Sequence, residues 1–135
     1  MIVVDTNVIA SLLLPTSEHT PAAIALLERD REWAAPILWR SEFCNILATG
    51  VRNGWLTENQ ATEALGSAED LMEGGDYRVP AAEVLATAIA SRCTAYDSEF
   101  VVLARDLGVD LVTVDGALLR AFPTIAKPLR PGDAA

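Results

Sequence analysis

The stretch IVVDTNVI, residues 2–9, determines the fold class. It begins with three β-branched residues that no polar residue interrupts, a pattern typical of a strand buried on both faces of a parallel sheet. Asp5 follows this strand directly, and the apolar residues after it predict a helix that stops at Pro15. A buried strand that leads at once into a helix is how an α/β domain begins.

The same alternation continues along the chain. Further short strands are predicted at Trp33–Ala35, Asp76–Val79 and Leu111–Val114. The predicted helices cover Asn7–Leu14, Ala22–Arg29, Leu38 to about Gly54, Thr57 to about Gly74, Pro80–Ser91 and the residues from Asp97 to Gly108. Short buried strands that alternate with helices predict an α/β fold, a three-layer α/β/α sandwich with a mostly parallel central sheet.

Length and composition predict one domain without a membrane segment. The 135 residues fit a single domain, 1–135, in which about 128–135 form a loose C-terminal tail. The longest unbroken apolar run, Ala22–Leu27, is far shorter than the ~20 residues that cross a bilayer. Two cysteines and no signal-peptide pattern predict a cytoplasmic protein.

The chain is strongly acidic. Nineteen acidic residues against ten basic ones give a net charge of −9, which repels nucleic acid at long range and attracts a basic partner. The segment from Gly116 to Gly132 is the exception, because it contains three basic residues and no acidic one.

Three aspartates occupy positions where strands or their loops end. Asp5 and Asp115 follow buried apolar runs, and Asp97 stands at the start of a helix. Carboxyl ends of parallel strands meet at one edge of the sheet, so these side chains are expected to converge there. The alternative is that each aspartate only caps a helix, a role in which Asp is common.

Glu42 is the fourth unusual acid. At about 100° per residue it falls on the shoulder of the apolar stripe formed by Trp39, Phe43, Ile46 and Gly50. It has no basic residue three or four positions away on its own helix. A half-buried, unpaired carboxylate costs several kcal/mol unless it is protonated or binds a cation. The alternative is that Glu42 reaches solvent.

Four converging carboxylates repel one another, and a hard divalent cation relieves that repulsion. Ligation by oxygen alone suits Mg²⁺ or Mn²⁺. Zinc is disfavoured because His19 is the sole histidine and the two cysteines are far apart in sequence.

Four segments resemble those of the PIN-domain nucleases, and in particular the VapC-type toxins of toxin–antitoxin pairs. They are Val3–Ile9, Ser41–Leu47, Tyr96–Ala104 and Val112–Asp115. The resemblance implies a PIN-like sandwich, Mg²⁺- or Mn²⁺-dependent cleavage of RNA, and inhibition by a small cognate antitoxin protein. It also implies a homodimer, for which the run Leu12–Leu14 is either the dimer surface or part of the core.

The resemblance also assigns roles to single residues. Carried over position by position, it makes Asp5, Glu42, Asp97 and Asp115 the acidic quartet that is catalytic and binds metal. It makes Thr6, Asn7 and Thr113 the polar supports for water at the metal. Some PIN domains carry a further acid shortly after the last one of the quartet, where this chain has Leu118 and Leu119, so the site holds either one ion or two.

Candidate RNA contacts must overcome the unfavourable net charge. The basic residues nearest the predicted site are Arg40, Arg120, Lys127 and Arg130, although the last three also fit a solvated tail. Trp39 and Trp55 either stack on bases or belong to the core or an interface.

Two alternative functions remain open from the sequence. One is a phospho-accepting receiver domain, which has a similar length and an acidic Mg²⁺ pocket. The other is a PIN domain that binds metal and partner without turnover.

Overall fold

The computed structural model describes residues 1–14 and 17–131. In chain order its elements are β1 (Ile2–Val4), α1 (Thr6–Leu13), α2 (Thr20–Arg29), β2 (Trp33–Pro36), α3 (Trp39–Arg52), α4 (Glu58–Leu71), β3 (Asp76–Tyr77), α5 (Ala81–Ser91), α6 (Ala95–Leu107), β4 (Leu111–Thr113), α7 (Gly116–Ala121) and β5 (Ala126–Pro128).

The strands form one five-stranded sheet in which every pairing is parallel, in the order β3-β2-β1-β4-β5. Val3 pairs with Ala34 of β2 on one side and with Leu111 of β4 on the other. Helix α6 packs on β1, β2 and β4 with α5 beside it, whereas α1 packs on β4 and groups with α2, α3 and α4. The predicted three-layer α/β/α fold is confirmed.

The strand order decides between two of the predicted functions. Receiver domains have the flavodoxin-like order 2-1-3-4-5, whereas this sheet has the order 3-2-1-4-5. The receiver alternative is therefore wrong. In the observed order the chain changes direction across the sheet between β1 and β4, and the crevice beyond the carboxyl ends of these two strands is where open α/β sheets bind ligands.

Strand β1 lies in the middle of the sheet and forms the centre of the core. Val3 and Val4 are fully buried, as the uninterrupted apolar run predicts. The largest buried side chains around them are Trp39, Phe43 and Phe100, two from α3 and one from α6. Asp5 directly follows the buried Val4, and Glu42 directly precedes the buried Phe43, so packing of the core fixes the backbone at both acids.

Helix starts differ slightly from the prediction. Helix α6 begins at Ala95 because the Thr94 hydroxyl caps it, accepting the Asp97 backbone N–H at 3.0 Å. Asp97 therefore lies in the first turn of the helix and is not the cap. Helix α1 ends at Leu13, and Pro15, the predicted stop, lies outside the described residues.

The predicted loose tail is wrong at its beginning. Pro128 belongs to β5 and pairs with Thr113, and the Leu129 N–H donates to the Thr113 carbonyl at 3.0 Å. Leu129 is buried in the core, which holds the chain to the sheet beyond β5. Residues 132–135, the rest of the predicted tail, lie outside the described residues.

The leucine run at the end of α1 belongs to the core. Leu14 is buried, and Leu12 and Leu13 are partly buried against the core cluster. Of the two alternatives for this run, the structure favours core over dimer surface. None of the helices in the described parts of the chain has the length and apolar character needed to cross a membrane.

Candidate active site

The four predicted acids line one pocket of about 240 Å³ at the carboxyl edge of the sheet. Asp5 follows β1, Asp115 follows β4, and Glu42 and Asp97 lie in the first turns of α3 and α6. The pocket is completed by Thr6, Asn7, Asn45 and Ile46. Four segments distant in sequence therefore bring carboxylates to one place, as predicted.

Asp5 is the most buried of the four, with 6% of its surface exposed. One carboxylate oxygen, Oδ1, accepts the Thr6 backbone N–H at 2.8 Å, and the other, Oδ2, accepts the Thr113 hydroxyl at 2.8 Å. These two bonds fix the carboxylate at the end of β1.

Two threonines connect the acids to one another. The Thr113 hydroxyl donates to Asp5 and accepts the Asp115 backbone N–H at 3.0 Å. The Thr6 hydroxyl donates to Glu42 Oε1 at 2.7 Å. Both threonines thus orient carboxylates directly. Their predicted role toward water at a metal remains a prediction, as does that of Asn7, which is exposed at the pocket.

Helix capping and a place in the pocket turn out to be compatible. Asp5 is the N-cap of α1, and Asp115 is the N-cap of α7, where its Oδ1 accepts the Ala117 N–H at 2.8 Å. Capping satisfies backbone donors and fixes the side chain at the strand end. The remaining lone pairs of each carboxylate stay available to a ligand.

The electrostatics of the pocket disfavour four negative charges. Burial raises the pKa of Asp5 to about 6, against the lowering effect of the Thr113 and Thr6 hydrogen bonds, and the charges of Asp97 and Glu42 raise it further. Burial raises the pKa of Glu42, to which repulsion by Asp97 adds. Burial, followed by the charge of Asp115, raises the pKa of Asp97.

This donor set fits a hard divalent cation. The pocket offers carboxylate, hydroxyl and amide oxygens. Burial, with repulsion among the acids added to it, raises the three pKa values, and a positive ion would favour the charged carboxylates against both effects. Among residues 1–14 and 17–131, no three His, Cys, Asp or Glu side chains are drawn together tightly enough to hold a metal ion by themselves. Mg²⁺ usually keeps several of its waters and takes only one or two carboxylates directly.

Comparison with known proteins agrees with this architecture. The model of the family described as "PIN domain" matches residues 2–122. The chain belongs to the PIN-domain family. This PIN domain is 28% identical over 130 residues to ribonuclease VapC3 of Pyrobaculum aerophilum, in an alignment that covers 94% of this chain and 98% of that protein.

Solved structures share the fold of this PIN domain. PAE2754 from Pyrobaculum aerophilum superposes with a TM-score of 0.75 and 24% identity, over 95% of this chain and 90% of that one. FitAcB from Neisseria gonorrhoeae gives a TM-score of 0.68 and 20% identity, over 97% and 98%. FitAB bound to the IR36 DNA fragment gives a TM-score of 0.73 and 17% identity, over 100% and 98%.

Sequence reasoning missed two polar residues beside the acids of this PIN domain. Asn45 lines the pocket one helical turn after Glu42, and the spacing of three residues on one helix was the signal for it. The charge of Glu99 contributes to raising the Glu42 pKa, and burial raises the pKa of Glu99 itself. Glu99 lies two positions after Asp97, and its proximity to α3 depends on the tertiary fold.

Arg40, one of the four predicted RNA contacts, is engaged elsewhere in the PIN domain. Its guanidinium donates to Asp76 Oδ2 at 2.7 and 3.1 Å and to Glu69 Oε2 at 3.0 Å, and it lies 5.1 Å from the centre of the Trp39 ring. These contacts connect α3 to β3 and α4. They give Arg40 a structural role and leave the prediction that it binds RNA without support.

Of the other three basic residues, Arg120 lies near the pocket, and Lys127 and Arg130 lie on or just after β5, the edge strand beside β4. The Arg120 guanidinium lies against Gly116, the residue after Asp115. Lys127 is exposed on β5, and Arg130 is exposed just beyond the carboxyl end of that strand. Their predicted contact with RNA remains a prediction.

Proposed function

We propose that this PIN domain is an endoribonuclease that hydrolyses RNA phosphodiester bonds with Mg²⁺ or Mn²⁺ and acts as the toxin of a toxin–antitoxin pair in the cytoplasm. The observation that carries the proposal is the convergence of Asp5, Glu42, Asp97 and Asp115 on one pocket at the β1–β4 crevice. The likeness of this chain to a protein named ribonuclease VapC3 supports the choice of RNA as substrate.

The acids divide the work according to their positions. Asp5 and Asp115, at the ends of neighbouring strands, would be the principal ligands of one or two ions, with Asp97 and Glu42 more peripheral. A bound divalent ion would activate a water molecule and offset the charge that builds on the phosphate. The chain's own contribution is to fix the carboxylates through Thr6 and Thr113 before substrate arrives.

Glu42 is the residue best placed to accept a proton. Its pKa is raised, chiefly by burial, so its basicity lies closer to neutral pH than that of an ordinary glutamate. The Thr6 hydroxyl holds one of its oxygens, Oε1, and leaves the other free to orient or deprotonate the attacking water. No nucleophilic side chain is needed.

Incubation of the purified protein with mixed cellular RNA tests this function. We expect cleavage with Mg²⁺ or Mn²⁺ and none with chelator. Metal-dependent stabilisation without cleavage would instead support the PIN domain that binds without turnover. Growth arrest on expression, relieved by a neighbouring small open reading frame, would establish the toxin role.

RNA binding must depend on local charges, since the net charge of −9 is repulsive. Replacing Arg120 and Lys127 with alanine is expected to weaken RNA binding, and to reduce the slope of log K against log salt by about one unit for each phosphate that is no longer bound. Arg29→Ala is the matched control. Arg29 is exposed at the carboxyl end of α2, and the chain runs from there to the amino end of β2, at the opposite edge of the sheet from the acids. Unchanged affinity and slope in the double variant would show that these bases belong to a solvated surface.

The net charge of −9 also indicates that the antitoxin is basic. A small basic protein would be steered to this acidic chain quickly, and an arginine from that partner would pair with the acids and displace the ion. We therefore expect inhibition to weaken as salt concentration rises and as Mg²⁺ concentration rises.

We extend the proposal to a homodimer. Ile37, Leu85, Ile89 and Tyr96 expose large apolar surfaces, and the first two line a pocket of about 560 Å³ between β3 and α5. Ile89 is the residue chosen for substitution, because at 70% it is the most exposed of these side chains. Ile89→Asp is expected to lower the mass measured by light scattering from dimer to monomer, because a charge in an apolar interface is strongly unfavourable. Ile24→Asp, on α2, is the control, and a wild-type monomer would contradict the dimer.

A further inference from the structure

A second pocket of about 260 Å³ adjoins the acidic one. Asn7 lines both pockets. Val114, which stands between Thr113 and Asp115, lines the second pocket as well. If an RNA strand places a phosphate at the acids, the nucleotide next to that phosphate therefore lies beside this second pocket, on the side of α1.

Trp55 forms one wall of the second pocket and is unusually accessible. Of the three tryptophans, Trp33 and Trp39 are 3% and 0% exposed, whereas Trp55 is 41% exposed. Tryptophan is highly buried on average, so a large exposed indole at a pocket calls for an explanation. The sequence left open whether Trp39 and Trp55 stack on bases or belong to the core or an interface. The structure places Trp39 in the core, whereas Trp55 is not part of it.

The Trp55 indole is held in place by α3. A Cβ atom at Gly50 would lie 3.0 Å from two Trp55 ring carbons and 2.8 Å from Leu56 Cδ1, so glycine lets the ring pack closely against the helix there. The Trp55 backbone N–H also donates to the Gly50 carbonyl at 3.0 Å. An aromatic ring fixed in this way loses little conformational freedom when a flat ligand stacks on it.

The rest of the lining suits a heterocycle. Ala10, Leu14 and Val114 provide apolar surface, while Asn7, Ser17 and His19 provide polar groups that can bond to base edges. The volume lies just below the roughly 300–1,000 Å³ of pockets that hold drug-sized ligands, which suits a single ring system.

We propose that this second pocket binds one unpaired RNA base next to the cleaved phosphate, with the base stacked on Trp55. The inference depends on the proposed function and deepens it, because it makes single-stranded RNA the substrate. Bases within a duplex are already stacked and paired, so they cannot enter without being pulled out of the helix.

Kinetics on single-stranded RNA tests the proposal. Trp55→Leu keeps an apolar side chain but loses the aromatic face, and Trp55→Phe keeps it. We expect Trp55→Leu to raise KM about tenfold with kcat changed little, and Trp55→Phe to stay close to wild type. Thermal unfolding with and without Mg²⁺ shows whether both variants are folded and still respond to metal.

Fluorescence provides a second measurement. Trp55 is the only exposed tryptophan, so stacking should quench its emission selectively. In an Asp5→Asn background, which prevents cleavage, a short single-stranded RNA should quench the emission. An abasic ribose-phosphate oligomer and a duplex RNA should not, and Trp55→Phe should remove the signal.

The outcomes separate the base pocket from the nuclease itself. If wild type cleaves RNA and Trp55→Leu leaves KM unchanged, the base pocket is wrong while the proposed function stands. If Trp55→Leu weakens only inhibition by the antitoxin, the pocket binds the partner protein and the proposal is overturned. If wild type cleaves no RNA under any metal condition, both proposals fail.

Discussion

Replacing Asp5 with asparagine is expected to reduce metal-dependent RNA cleavage by roughly 10³-fold or more. The loss follows because Asp5 is the most buried of the four pocket acids and the one that both Thr6 and Thr113 hold by hydrogen bonds. Removing a principal ligand forfeits several kcal/mol of charge stabilisation, and each 1.36 kcal/mol is a factor of ten in rate. The asparagine oxygen can still accept a hydrogen bond, so the variant should fold.

The measurement is the initial rate of RNA cleavage by wild type and variant at saturating Mg²⁺, with circular dichroism to check folding. Asp70→Asn is the matched control, because it removes the same charge from an exposed position on α4. We expect Asp70→Asn to retain nearly full activity. Full activity in a folded Asp5→Asn protein would remove Asp5 from the mechanism.

The metal-free protein is expected to lose stability as pH rises from about 4 to about 7. The folded-state pKa of Asp5 is raised from 3.8 to about 6, so the folded state binds the proton more tightly than the unfolded state does. The contribution of this tighter proton binding to the free energy of unfolding is fully present below pH 3.8 and is lost as pH rises through about 6. A shift of this size corresponds to roughly 3 kcal/mol of unfolding free energy, and the raised pKa values of Glu42 and Asp97 act in the same direction.

Urea unfolding at a series of pH values, with chelator present, measures this dependence. Asp5→Asn cannot titrate at that position, so its stability should fall less over the same interval and should exceed that of wild type near pH 7. Mg²⁺ at pH 7 should restore stability to wild type more than to the variant, since a ligand that binds the folded state stabilises it. Equal pH dependence in the two proteins would show that burial does not raise the pKa of Asp5.

Local sequence patterns predict most of the fold. The apolar run at Ile2–Val4 and the capping box that begins at Thr57 mark elements that the structure contains. Strand β5 escaped prediction because its sequence, Ala-Lys-Pro, is short and has no apolar run. It is a strand because β4 offers an open edge for pairing, which is a tertiary effect.

The candidate site divides along the same line. The acids could be predicted because each stands where a buried element begins or ends, and the carboxyl ends of parallel strands meet at one edge of the sheet. Helix capping, which Asp5 and Asp115 also perform, does not remove them from that edge. The role of Arg40 could not be predicted, because its partner Asp76 is 36 positions away in sequence and belongs to a two-residue strand. The difference between Trp39 and Trp55 likewise depends on how α3 packs, and helical spacing alone does not resolve it.

Titration of the metal-free protein with Mn²⁺, followed by calorimetry, tests most directly whether the four carboxylates form one cation site. The comparison uses wild type, Asp5→Asn, Glu42→Gln, Asp97→Asn, Asp115→Asn and the surface control Asp70→Asn. We predict that wild type and the control bind one or two ions with equal affinity, and that each of the four pocket variants binds more weakly. No binding by wild type, or binding that all four pocket variants retain unchanged, would contradict the account.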